Sequence, residues 1–156
     1  MVKEKIHIPL IAGGGIATGK AMLATMVLGA DGVQVGSRFV ASEESSSHKA
    51  FKQLVVEIKE GDTQLTLKEL APVRLIKNNF FSEIQELYKT APKPEELKEL
   101  LGRARAKKGM FDGDLVNGEL EIGQVSGLIH DIKPVADIVT EIMTEFKETK
   151  KSFIQL

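Results

Sequence analysis

The chain has 156 residues, of which 42% are hydrophobic and 28% charged, with a net charge of −1 and no cysteine. This is an ordinary globular composition, long enough for one domain with a buried core. The near-neutral charge argues against a nucleic-acid partner, and the lack of cysteine excludes disulfides and thiolate sites. The first residues lack the apolar region of a signal peptide, and no apolar run could cross a bilayer. These features predict a cytoplasmic protein without a membrane partner.

The first forty residues predict a strand, a helix and a second strand. Residues 8–12 form a short apolar run that ends in glycines, and residues 32–35 form another. Between them, Thr18 is placed to cap a helix over residues 19–28. This order predicts a right-handed βαβ unit with two parallel strands.

The rest of the chain predicts mainly helices. Amphipathic spacing places them at residues 48–60, 80–89 and 95–107, and most clearly at 134–147. Residues 63–67 predict a short strand or a helix entry, and residues 72–77 an extended segment. Residues 109–123 carry four glycines among acidic residues, which predict a loop or hairpin.

Glycines follow both early strands, at the ends where α/β proteins bind phosphate groups. Gly13, Gly14 and Gly15 follow the first strand, and Gly36 with Ser37 follows the second. Glycine lets backbone N–H groups approach an anion closely, and a helix N-terminus adds further donors. The last two βα loops of a (β/α)8 barrel form such a site, so we interpret these residues as a phosphate site. A tight turn without a ligand is the alternative.

Two other kinds of site do not fit the residue spacing. The dinucleotide-binding fingerprint needs a different spacing of glycines than that of Gly13, Gly15 and Gly19, and an acidic residue after the next strand. The acidic residues between positions 112 and 121 lack the alternate spacing and terminal glutamate of a calcium loop. The sequence therefore predicts no metal site.

Two groups of cations have more than one interpretation. Arg38 follows the second glycine loop, where its guanidinium could bind a phosphate or carboxylate group, or pair with Glu43 or Glu44. Residues 103–108 carry four positive charges. That run suits an acidic carrier protein or a phosphorylated cofactor, but cations also favour a helix C-terminus for electrostatic reasons alone.

Four segments of the chain match known motifs: IPLIAGGGIATG at residues 8–19, LGADGVQVGSRF at 28–39, ASEES at 41–45 and GQVSGL at 123–128. The resemblance that they carry is to the nitronate monooxygenase family, formerly called 2-nitropropane dioxygenases, and its relatives, the FMN-dependent type II enoyl-acyl-carrier-protein reductases. It implies an α/β fold, the C-terminal part of a TIM-type (β/α)8 barrel. The two early strands would be the last two of that barrel, with a mainly helical insertion following them.

The resemblance also implies a division of the chain. Barrel-derived βα segments with phosphate-binding loops would occupy residues 1–41 and 109–147, and the helical insertion residues 42–108. Residues 148–156 would form a frayed tail.

The cofactor implied by the resemblance is FMN, with NAD(P)H as a further cofactor of the parent enzyme. The residues implied to bind FMN are Gly13, Gly14, Gly15, Gly36, Ser37 and Gln124. The family's catalytic histidine belongs to an earlier segment of the barrel, and His7, His48 and His130 do not match its motif. The sequence therefore assigns no catalytic residue.

The function implied is that of an FMN-binding oxidoreductase that oxidises alkyl nitronates with O2. A full barrel takes about 250 residues, so the chain is expected to be a fragment of the whole enzyme. One alternative is an enoyl-acyl-carrier-protein reductase of fatty acid synthesis that depends on NAD(P)H and FMN. Another is a non-catalytic, phosphate-binding or oligomerising half-barrel.

The functions implied by the resemblance also imply partners. They are a small-molecule substrate or an acyl-carrier-protein thioester. Because two parallel strands alone leave open sheet edges, we also expect self-association or pairing with a missing N-terminal half.

Overall fold

A computed structural model describes residues 2–154, which form an α/β protein with two compact units. The first unit contains the residues up to Ser45 together with those from Asp131 onward, and the second unit is Ser46–His130. No helix among residues 2–154 is both long and apolar enough to span a membrane.

The first unit contains the predicted βαβ arrangement. Its elements are a 3₁₀ turn at Lys3–Lys5, β1 (Ile11–Gly13), α1 (Gly19–Val27), β2 (Gly32–Gln34), α2 (Ser37–Val40) and α7 (Val135–Ile154). The two strands pair in parallel, with Ile11 opposite Gly32 and Gly13 opposite Gln34. The prediction of a strand, a helix and a parallel strand is confirmed.

Helix α1 begins where the sequence predicts and packs closely against α7. Thr18 is its N-cap, and its Oγ1 accepts a hydrogen bond of 3.1 Å from the Ala21 N–H. Gly19 lies so close to α7 that an added Cβ would be 2.3 Å from both the Ile142 carbonyl oxygen and the Phe146 nitrogen. A glycine at this position therefore permits the helix contact.

Helix α7 is longer than the apolar stripe predicts. It continues to Ile154, through most of the segment expected to be a frayed tail, and residues 155 and 156 lie outside the described part of the chain. Residues 148–154 contain no glycine or proline, so nothing in the local sequence ends the helix.

The second unit combines helices with a small antiparallel sheet. Its elements are α3 (Lys49–Glu57), β3 (Thr63–Thr66), β4 (Val73–Ile76), α4 (Asn79–Tyr88), α5 (Pro94–Leu101), α6 (Arg105–Met110) and a 3₁₀ helix (Gln124–Leu128). Strands β3 and β4 pair with Thr63 opposite Ile76. A core of mutually packed apolar side chains joins the sheet to the helices: Leu67, Leu75, Phe80, Phe81, Ile84 and Leu97.

Residues 109–130 belong to this second unit, whereas the resemblance assigned 109–147 to the barrel-derived part. The reason is backbone pairing along β4. The Ile76 N–H donates to the Leu120 carbonyl at 3.0 Å, and the Ile122 N–H donates to the Arg74 carbonyl at 3.1 Å. Long-range hydrogen bonds of this kind leave no local pattern in the sequence.

The single helix predicted over residues 95–107 is wrong, since the structure has α5 and α6 instead. Gly102 and Ala104 between them adopt positive φ, of +64° and +57°. Glycine adopts this region freely, and it is a common position for a helix to end.

Candidate functional site

Parallel pairing brings the two glycine loops to one edge of the β1–β2 sheet. Gly13 lies opposite Gln34, and each is the last residue of its strand. Gly14 and Gly15 continue directly from β1, while Gly36 follows β2 by two residues. The structure therefore places the two predicted loops side by side at the carboxyl ends of the strands.

Three of these glycines face open space. Gly14 and Gly15 have φ of +93° and +71°, a region that L side chains rarely adopt. A Cβ added to Gly14, Gly15 or Gly36 would have no other described atom within 4 Å. Their backbone is thus open to close approach by a ligand, which is what an anion bound by N–H groups requires.

Gly109 and Gly118, unlike Gly14, Gly15 and Gly36, are needed for close packing. A Cβ added to Gly109 would lie 2.5 Å from the Glu119 carbonyl oxygen, and one on Gly118 would lie 2.2 Å from the Gly109 Cα. Gly13 falls between the two classes, since its Cβ would make ordinary contact with Gln34 at 3.7 Å. Gly14, Gly15 and Gly36 are therefore the glycines whose absent side chains leave space beside the loops.

Ser37 is the first residue of α2, and Gly36 is the N-cap of that helix. The Gly36 carbonyl accepts hydrogen bonds from the Phe39 and Val40 N–H groups at 2.9 and 3.3 Å. These bonds form the first turn of α2 directly after Gly36.

The N-terminus of α1 does not offer the extra anion donors that the sequence suggested. The Gly19 N–H donates to Glu145 Oε2 at 2.6 Å, and the Lys20 N–H donates to the same oxygen at 3.3 Å. Thr18 accepts from the next free donor, the Ala21 N–H. A carboxylate of α7 thus already satisfies this helix end.

Arg38 binds neither of the acidic neighbours that the sequence suggested as partners. Its Nη1 donates to the Asp131 carbonyl at 3.1 Å and its Nη2 to Asp131 Oδ1 at 2.5 Å. Glu44 instead accepts a hydrogen bond from the Val135 N–H at the start of α7. Sequence reasoning missed Asp131 because it lies 93 residues away from Arg38.

Gln124, the remaining predicted cofactor ligand, lies in the second unit. It is the first residue of the 3₁₀ helix Gln124–Leu128, and its side chain is exposed. In the same helix Ser126 is fully buried, and its hydroxyl has no hydrogen-bond partner among the described residues. Gln124 therefore belongs to a different unit from the two glycine loops.

The basic run at residues 103–108 is largely engaged within its own unit. The Arg105 guanidinium lies 4.3 Å from the centre of the Phe80 ring and 3.9 Å from Glu83. Lys107 and Lys108 pair with the nearby aspartates 112 and 114 at 3.6 and 2.9 Å. These contacts favour the structural interpretation of the run over a docking role.

In the described part of the chain, the histidines belong to no cluster that could hold a metal ion. His48 is the N-cap of α3, where its Nδ1 accepts a 3.2 Å hydrogen bond from the Ala50 N–H. Among residues 2–154, no group of three or more His, Asp or Glu side chains could hold a metal ion.

Glu119 is the buried carboxyl group of the second unit, at 6% exposure. Burial, with a further contribution from the Glu121 charge and despite the opposing charge of Arg105, raises the pKa of Glu119 from 4.5 to about 7. The unfolded chain therefore releases this proton at lower pH than the folded chain, and the folded state loses stability as the pH rises from about 4.5 to 7.

Replacing Glu119 with glutamine is expected to stabilise the protein at pH 8 by up to about 3 kcal/mol, because the buried charge is removed. At pH 4 the carboxyl group is protonated in both states, so the same substitution should change the free energy of unfolding little. Urea unfolding of both proteins at the two pH values measures this difference. An equal gain at pH 4 and pH 8 would contradict it.

Comparison with known proteins places these features in a family. The profile of the family described as "Nitronate monooxygenase" matches residues 1–145. A probable nitronate monooxygenase of Staphylococcus saprophyticus is 36% identical over 110 residues, which cover 68% of this chain and 31% of that protein. One of Bacillus subtilis is 33% identical over 122 residues, covering 78% of this chain and 35% of that protein.

Solved structures agree with the sequence matches. The chain is similar to FabK from Thermotoga maritima, with a TM-score of 0.90 and 39% identity, over 99% of this chain and 49% of that one. It is also similar to nitroalkane oxidase from Streptomyces ansochromogenes, with a TM-score of 0.76 and 27% identity, over 97% of this chain and 43% of that one. The chain thus spans about a third of those curated relatives and about half of those solved chains. It belongs to the nitronate monooxygenase family.

Proposed function

We propose that the chain forms the phosphate-binding end of an FMN-dependent oxidoreductase of the nitronate monooxygenase type. The observation that carries this proposal is the open backbone of Gly14, Gly15 and Gly36 at the carboxyl edge of two parallel strands. Membership of the family supports a TIM-type barrel in which β1 and β2 are the seventh and eighth strands.

The loop residues fit the phosphate group of FMN. Backbone N–H groups of Gly14, Gly15 and Gly36 would hold it, and the Ser37 hydroxyl is the neighbouring side-chain group. When bound, FMN supplies the electron-transfer chemistry of the whole enzyme, which we propose oxidises alkyl nitronates with O2. The chain's own part is to bind and orient the cofactor. A contact from Gln124 stays a prediction of the family resemblance.

The likeness to FabK favours a second candidate, the enoyl-acyl-carrier-protein reductase. This likeness has a higher TM-score and identity than that to nitroalkane oxidase. In this alternative NAD(P)H reduces the flavin, and the substrate is an enoyl thioester of an acyl carrier protein. Both candidates use the same phosphate loops, so the loops do not distinguish them. Assays of the whole enzyme with an alkyl nitronate and with an enoyl thioester distinguish the two candidates.

Titration of the purified chain with FMN tests the shared part of the proposal. Quenching of flavin fluorescence and a shifted visible spectrum are expected, because the loops place their N–H groups at a common edge. Riboflavin, which lacks the phosphate group, should bind more weakly. A chain that binds neither flavin, or binds both equally, would contradict the phosphate assignment.

We propose that the partner of this chain is the polypeptide that supplies the rest of the barrel. When the chain is purified alone, we expect it to associate with a second copy of itself. The β1–β2 sheet has only two strands in the described residues, and Ile8 before β1 and Ile11 within β1 are exposed. Val27 and Leu28 at the end of α1 are also exposed, and all four side chains are apolar. Open parallel edges of this kind invite further strands.

Self-association is therefore expected for the purified chain at micromolar concentration. Sedimentation velocity measures the mass of the particle, and a hydrophobic dye reports apolar surface. A folded monomer that binds no dye would contradict this proposal.

A further inference from the structure

The buried side chain of Arg38 lies directly after the second glycine loop. Only 7% of the residue is exposed, although arginine is rarely buried without a paired charge. Its guanidinium makes two hydrogen bonds to one residue, the Asp131 carbonyl at 3.1 Å and the Asp131 carboxylate at 2.5 Å. Arg38 thereby ties the loop after β2 to the segment that leads into α7.

Asp131 is itself held from the other side. Its Oδ2 lies 2.9 Å from the Lys133 ammonium group, which also pairs with Glu141 on α7. Although burial raises the pKa of Asp131, the nearby charges and hydrogen bonds of Lys133 and Arg38 lower it overall. The pKa of Lys133 is raised by its bonds to Glu141 and Asp131. Asp131 and Lys133 are therefore both charged near neutral pH.

Backbone contacts extend the same connection. The Glu43 N–H donates to the Lys133 carbonyl at 3.0 Å, and Ser42 forms a parallel bridge with Lys133. The Val135 N–H donates to the Glu44 carboxylate at 2.9 Å. The segment that follows Ser37 is thus attached to the start of α7 at several points.

These contacts matter because α2 cannot hold its own position. It has four residues, and an isolated helix of that length is unstable in water. The contacts of the residues after Gly36 and Ser37 therefore contribute to the position of this loop, together with β2 before it. Arg38 is the closest of these anchors in sequence, and it is the one with a buried, two-point attachment.

We propose that the Arg38–Asp131 ion pair is a positioning device that sets the affinity of the Gly36–Ser37 loop for the cofactor phosphate. This inference rests on the proposed function. Arg38 does not bind the phosphate in this arrangement, since its guanidinium is directed to Asp131. It holds the loop backbone in the conformation that the phosphate requires. Lysine cannot replace it, because an ammonium group lacks the planar fork that bonds the carbonyl and carboxylate together.

The test compares FMN with riboflavin in the Arg38→Lys and Asp131→Asn variants of the full chain. Dissociation constants for both flavins come from fluorescence titration, and thermal unfolding shows that each variant is folded. We expect the preference for FMN over riboflavin to fall by about tenfold in each variant, the loss of roughly one charge-assisted hydrogen bond. Riboflavin binding should change by less than about twofold, because the phosphate loop does not contact it. Asp131→Asn keeps the size of the side chain, so it remains informative if Arg38→Lys does not fold.

A matched control removes an exposed ion pair elsewhere. Lys89→Ala breaks the surface pair with Glu86 and should leave both dissociation constants unchanged. Variants that keep the full preference for FMN, or that lose both flavins equally, would overturn the positioning role. If the unmodified chain shows no preference for FMN, the proposed function itself fails, which is a different result.

Discussion

Replacing Gly36 with valine is expected to weaken FMN binding by about 100-fold, the equivalent of two lost charge-assisted hydrogen bonds. The added side chain would occupy the space beside the glycine loops, where a Cβ on Gly36 would have no other described atom within 4 Å. It would separate the phosphate from the backbone donors of both loops. Because φ at Gly36 is −107°, and not positive as at Gly14 and Gly15, a side chain is tolerated better at this glycine than at the other two, and the fold should persist.

Fluorescence titration of FMN measures the effect, and thermal unfolding checks the fold. Gly127→Ala is the matched control. Its added Cβ would make an ordinary 3.8 Å contact with the Glu60 nitrogen in the second unit, so FMN binding should not change. Equal affinities of the Gly36→Val variant and the unmodified chain would show that this loop does not bind the phosphate.

Replacing Gly19 with alanine is expected to destabilise the first unit by about 3 kcal/mol, at the upper end for overpacking. The new methyl group would lie 2.3 Å from the Ile142 carbonyl oxygen and from the Phe146 nitrogen, both of them helix backbone. Helices α1 and α7 would have to move apart. That movement would also weaken the bonds from the Gly19 and Lys20 N–H groups to Glu145.

Thermal unfolding followed by circular dichroism measures this loss as a lower midpoint. Gly36→Ala is the matched control, since it adds the same methyl group where space is open and φ is negative. Its midpoint should stay unchanged or rise slightly, because alanine restricts the unfolded chain. Similar losses in both variants would contradict the packing role of Gly19.

Local patterns in the sequence were sufficient for much of the first unit. Thr18 comes just before a stretch whose apolar residues have helical spacing. A threonine at that position can cap the helix through contacts within one turn. The apolar runs that end in glycine predict β1 and β2, and the βαβ order predicts their parallel pairing. From these the sequence alone predicts that the two glycine loops lie at the same edge.

Contacts between distant residues could not be predicted in this way. Glu145 satisfies the N-terminus of α1 from 126 residues away, so a helix end that looked available to an anion is already occupied. Asp131 pairs with Arg38 in preference to the acidic residues next to it in sequence. Residues 109–130 join the second unit through hydrogen bonds to β4.

The sequence by itself determined the βαβ unit and the positions of the glycine loops, because caps, turns and apolar periodicity act over a few residues; its motifs carried the resemblance to the family. Only the tertiary structure decided which donors and charges near those loops are already used. Side chains such as Arg38 choose among partners by distance in space and burial, and neither quantity can be read from neighbouring positions in the chain. The tertiary contacts therefore narrow the proposed anion site to the open backbone of Gly14, Gly15 and Gly36.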